Sequence, residues 1–122
     1  MVPPPAGPGG KRELVGFLVT YQSDTYGQFW PLYAGRNLVG RAGAADGLDI
    51  EINDPHPSSV HAAVHVDSGT RASYVEDLGS TNGTFYNDEG SPLGAQGRRD
   101  LRDGDRVKFG GIGVVVKIVP RL

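Results

Sequence analysis

From Leu14 onwards the chain is written in short apolar runs, broken every few residues by glycine, proline or a polar cluster, and no stretch sustains the spacing of a helical face. The pattern predicts an all-β domain nearly without helices. Candidate strands are Leu14 to Tyr21, Gln28 to Tyr33, Asn37 to Gly40, Asp49 to Ile52, His61 to Val66, Ala72 to Asp77, Thr84 to Tyr86, Arg106 to Phe109 and Ile112 to Val119. In the last pair Val107 and Phe109 alternate with Arg106 and Lys108. Gly110-Gly111 then turns the chain into a long apolar strand, which predicts a terminal hairpin. Asp88 to Asp100, punctuated by Gly90, Pro92, Gly94 and Gly97, reads as loop, and Asp103-Gly104-Asp105 reads as a turn. So many short strands point to a sandwich of two mainly antiparallel sheets, with Phe17, Phe29, Trp30, Phe85 and Phe109 expected in its core. No internal repeat is visible.

A length of 122 residues suits one domain with its own core. With 38% hydrophobic and 21% charged residues the composition is that of a soluble globular protein, and no apolar run approaches the roughly 20 residues of a membrane span. The chain has no cysteine, which excludes disulfides and thiolate metal sites and suits a reducing, cytoplasmic setting. A net charge of −2 offers no global field for nucleic acid or acidic lipid. A phosphorylated peptide needs only one well-placed arginine. Met1 to Gly10 hold four prolines, three glycines and no charge, so residues 1–12 are expected to form a Pro/Gly-rich tail or linker and residues 13–120 the domain. No basic segment followed by an apolar run marks a secretory signal there. The tail fits equally a free N-terminus and a cut from a longer protein.

Three stretches carry candidate chemistry. Asp77-Leu78-Gly79-Ser80-Thr81-Asn82-Gly83-Thr84-Phe85 reads as a strand end, a tight loop whose Gly79 and Gly83 permit positive φ, and a new strand. Its hydroxyl and amide groups suit an anion or a peptide backbone, although Asn82-Gly83 is also the strongest hairpin-turn signal. Gly40-Arg41 ends a strand, so the guanidinium is held by the sheet but faces the loops, where it can take a phosphate through two parallel hydrogen bonds. Asp54-Pro55-His56-Pro57-Ser58-Ser59-Val60-His61-Ala62 is a loop stiffened by two prolines, whose serine hydroxyls and amides are partly preorganised.

Other constellations carry less. Ser58, His61 and Asp77 form a hydrolase triad only on paper, because no Gly-x-Ser-x-Gly elbow accompanies them. Among His56, His61 and His65, the last two would lie roughly 13 Å apart on one strand, too far to share a metal. Arg98, Arg99, Arg102, Arg106 and Lys108 are offset by Asp100, Asp103 and Asp105, which predicts a solvated face and no nucleic-acid patch. No catalytic residue, metal or cofactor is expected.

In order and spacing, Gly40-Arg41, then Ser58-Ser59-Val60-His61-Ala62, then Leu78 to Phe85 resembles the forkhead-associated (FHA) domain, from about Leu14 to Val119. The resemblance implies a β-sandwich of about eleven strands that binds phosphothreonine peptides on loops at one end. It implies that Arg41 and Ser58 contact the phosphate, that Ser59 assists, that Thr81 serves the phosphate and threonine-methyl site, and that Asn82 holds the peptide backbone. Gly40, His61 and Gly83 are implied as support. Ser59 departs from a position that is often basic or amide in the family, and His56 and Pro57 make their loop unusual. The implied partners are a Thr-phosphorylated protein, an upstream Ser/Thr kinase, and a phosphorylated segment of the same full-length protein. The alternative is a phospho-independent scaffold of the same fold.

Overall fold

The computed structural model describes residues 12–120. Ten strands alternate through the chain: β1 (Leu14–Thr20), β2 (Gln28–Tyr33), β3 (Gly35–Arg41), β4 (Ile50–Ile52), β5 (Ala62–Val66), β6 (Ser73–Asp77), β7 (Thr84–Tyr86), β8 (Arg98–Leu101), β9 (Arg106–Phe109) and β10 (Ile112–Ile118). They form two five-stranded sheets, ordered β2-β1-β10-β9-β7 and β4-β3-β5-β6-β8. Every pairing is antiparallel except β3 with β4. The all-β sandwich expected from the punctuation is the fold observed. No helix occurs among the described residues, so none crosses a membrane.

Period-two alternation explains the core. In β10 the side chains of Ile112, Val114 and Val116 are buried while Gly113, Val115 and Lys117 face outward. The second sheet answers with Val39, Ile50, Ile52, Val64, Val66 and Val75. Each such side chain contributes about 1.5–3 kcal/mol by leaving water. The polar side-chain groups that sit inside are hydrogen-bonded. Asn37 is fully buried, accepts the Tyr33 N–H at 2.9 Å and donates to the carbonyls of Tyr33 and Val64 at 2.8 and 3.1 Å. Trp30 donates its indole N–H to Glu51 O at 3.1 Å, fastening β2 of one sheet to β4 of the other.

The resemblance implied about eleven strands, and ten are present among the described residues. Two expectations need correcting. Part of the loop assigned to Asp88 to Asp100 is β8, an exposed edge strand in which only Leu101 is buried and which is held by its ladder to β6. Of the five aromatics expected in the core, Trp30 and Phe109 are there. Phe29 is exposed, and Phe17 and Phe85 are half-buried on the outer face, because each occupies the opposite phase of its strand's alternation. The tail expected at residues 1–12 lies outside the described residues apart from Arg12. That guanidinium donates to the carbonyls of Ala34 and Arg36 at 2.9 and 2.7 Å.

Candidate functional site

Arg41 closes β3 at one end of the sandwich, where the loops 53–61 and 78–83 converge. Its backbone N–H donates to Ser58 O at 3.0 Å, and its guanidinium donates to Pro57 O at 3.1 Å and to Ser59 Oγ at 3.3 Å. The cation is thus clamped at its base and left half-exposed. The residue before it must be small. A Cβ on Gly40 would stand 2.1 Å from the Ser59 carbonyl oxygen, so only glycine lets loop 53–61 lie this close to β3.

Several hydrogen bonds join the two loops, among them Leu78 N–H to His61 O at 3.0 Å. Ser58 Oγ accepts the Thr81 N–H at 2.9 Å. Its single proton therefore stays free for a ligand oxygen. Asn82 Nδ2 donates to His56 O at 2.7 Å, which leaves the side-chain oxygen available as an acceptor. His61 is fully buried behind both loops, where its Nδ1 accepts the Ser58 N–H at 3.0 Å and its Nε2 donates to Gly83 O at 2.9 Å. The same Gly83 carbonyl accepts the Gly110 N–H at 2.9 Å, drawing in the β9–β10 hairpin. Burial holds His61 below its ordinary pKa, against the opposing pull of the Gly83 hydrogen bond and the Asp77 charge. The neutral ring is the form that makes both bonds.

Loop 78–83 takes its shape from Asp77, a role the sequence reading did not assign. The buried carboxylate accepts the N–H groups of Gly79 and Ser80 at 2.8 and 3.0 Å and the hydroxyls of Ser80 and Thr84 at 2.5 and 2.7 Å. Burial alone would raise its pKa, but these donors outweigh it and hold the carboxyl below its usual range. The signal was present as Asp77-x-x-Ser80, the spacing at which an aspartate caps its own turn. Gly79 and Gly83 complete the turn at φ of 83° and 88°.

Together Arg41, His56, Ser58, Ser59, Thr81 and Asn82 line a polar cavity of about 510 Å³. One cation, three hydroxyls and an amide face the same space, a set that can hold a multi-oxygen anion beside a peptide backbone. A larger groove of about 660 Å³ on the outer face of the second sheet contains none of these residues. Ser58, His61 and Asp77 form no relay, since His61 meets the Ser58 backbone N–H and not its hydroxyl. Among the described residues no cluster of three or more His, Cys, Asp or Glu could hold a metal. Arg98, Arg99 and Arg106 are individually paired with Glu76, Glu89 and Asp88.

The model of the FHA domain family matches residues 37–110, more than half of the chain and all of the loops that build this cavity. The chain belongs to the FHA domain family. A structure solved in a structural and functional analysis of phosphothreonine-dependent FHA domain interactions superposes with a TM-score of 0.68 at 24% identity. It covers 87% of this chain and 99% of that one. The FhaA FHA domain, crystallised with the intracellular domain of Rv3910, gives a TM-score of 0.65 at 25% identity over 83% of this chain and 99% of its own. Protein FraH of Nostoc sp. is 38% identical over 64 residues, which is 51% of this FHA chain and 22% of FraH. The chain thus spans about a fifth of that relative.

Proposed function

We propose that this FHA domain reads threonine-phosphorylated protein segments written by a Ser/Thr kinase in the cytoplasm. One observation carries the reading: Arg41, Ser58, Thr81 and Asn82 line a single cavity on loops held in register by His61 and Asp77. A phosphothreonine dianion calls for positive charge and several donors at once. In this reading Arg41 and Ser58 bind the phosphate, Ser59 steadies the guanidinium, and Thr81 serves phosphate and threonine methyl. Asn82 accepts from the peptide backbone with the oxygen that His56 leaves free. Gly40, His61 and Gly83 support the loops. Choice of threonine over serine rests on a methyl niche worth about 0.8 kcal/mol of burial. The structural neighbour solved for phosphothreonine-dependent FHA domain interactions supports the same reading. The proposed ligand is a separate phosphoprotein or a phosphorylated segment of this chain's own full-length protein.

The test is an NMR titration of labelled domain with degenerate phosphothreonine, phosphoserine and unphosphorylated peptide libraries. Shifts centred on Arg41, Ser58, Ser59, Thr81 and Asn82 with the phosphothreonine set are expected. A folded sample that responds equally to unphosphorylated peptide would replace this reading with the phospho-independent scaffold.

A further inference from the structure

The outer face of the β1–β2 hairpin breaks the rule that a sheet face turned to water carries polar side chains. Tyr26 is 96% exposed, Tyr21 65% and Phe29 62%. Phe29 meets Phe17 edge to face, with ring centroids 5.8 Å apart. With Val19 and Lys117 these rings line an open groove of about 400 Å³. The three exposed rings alone present roughly 400 Å² to solvent. Two such faces in contact would bury about 800 Å² in total, the scale of a weak, transient association. An aromatic patch of this extent is large enough to serve as an association surface.

We propose that this face packs against the same face of a second copy of the chain in a two-fold dimer. An isologous contact sets each side chain against its own kind or a close neighbour, so it tolerates rings and excludes uncompensated charge. The groove lining meets that condition, and the nearby Asp24 carboxylate is held by the Tyr26 N–H at 2.8 Å in the turn. Lys117 is the one charged residue lining the groove, and it is already paired with Asp103 of its own chain at 3.3 Å. A strongly charged partner would find no complementary field there. The groove shares no lining residue with the Arg41 cavity, so dimerisation leaves two cavities open on one particle. Such a particle would hold a doubly phosphorylated partner by avidity. The dimer itself does not depend on the phosphothreonine reading.

Sedimentation of the unliganded full chain from micromolar to millimolar concentration tests it. The mass of the natural protein should climb from monomer to dimer across that range. Tyr26→Ser with Phe29→Ser should weaken association at least tenfold and leave the melting temperature at low concentration unchanged, because both rings are mostly in water already. Should the double variant fold poorly, Tyr26→Ser alone removes a nearly fully exposed ring and should still shift the dimer to higher concentration. A natural protein that stays monomeric to millimolar concentration, or folded variants that dimerise as well as it does, would overturn the proposal.

Discussion

Ser58 Oγ accepts the backbone N–H of Thr81 at 2.9 Å, joining two loops whose contacting residues lie 23 positions apart. The bond makes one hydroxyl serve two ends. Its lone pair fixes the separation of the loops, and its proton is left for the phosphate in the proposed reading. Geometry and ligand chemistry are therefore coupled in a single side chain.

Ser58→Ala removes both. Affinity for a phosphothreonine peptide should fall about tenfold, and stability by about 0.5–1.5 kcal/mol, the net worth of one hydrogen bond. Calorimetric titration beside a urea melt separates the two. A variant with full affinity would show that the Ser58 proton does not reach the phosphate.

Arg41→Ala should cost on the order of 2–5 kcal/mol of phosphopeptide binding while the domain stays folded, because the guanidinium is half-exposed and meets a loop carbonyl and a loop hydroxyl, not the core. Arg41→Lys should recover little of the loss, since an ammonium cannot make the parallel pair of bonds. Titration calorimetry with an intact thermal melt checks both. Retained affinity in folded Arg41→Ala would place the phosphate elsewhere.

Asp77→Ala strips four donors of their acceptor and should destabilise the domain by about 2–4 kcal/mol, with loss of peptide binding. Asp77→Asn keeps the shape and one acceptor oxygen, so its melt should fall between the two. Equal melting of Asp77→Ala and the natural protein would mean that loop 78–83 holds its shape unaided.

Acid should destabilise the fold before its carboxylates titrate. Burial depresses the pKa of His61 and of His65 below the ordinary 6.5. As pH falls through 6.5 the unfolded chain therefore takes up protons that the folded one still refuses. Stability is flat in these groups above that value, declines below it, and levels once the folded-state pKa values are passed. Urea midpoints between about pH 7.5 and pH 5.5 should fall, and His61→Gln should flatten part of the slope, with His65→Gln accounting for the rest. An unchanged slope in His61→Gln would mean that the ring is not held neutral.

The terminal hairpin was legible because Val107 and Phe109 alternate with charges and Gly110-Gly111 supplies the turn. The strand Arg98–Leu101 was not, since three of its four residues are polar and exposed and its place is set by pairing with β6. Phe29 and Trp30 are adjacent and equally apolar, so composition could not say which one faces the core; the register against β1 decides it. Arg41, Ser58, Thr81 and Asn82 could be picked out by motif, yet the contacts that assemble their cavity could not. His61 reaches Gly83 across 22 positions of chain, and Asp77 collects donors from a turn that also reads as an ordinary Asn-Gly hairpin.

The imidazole of His61 also lies edge-on to Phe109 in the core, with ring centroids 5.8 Å apart. The hydrophobic interior and the loops around the candidate cavity consequently share one side chain. Loops of this kind usually open on their own. Here the Ser58 amide sits in an irregular segment at the surface but is bonded to the His61 ring, and its exchange with deuterium should be as slow as that of the core strands.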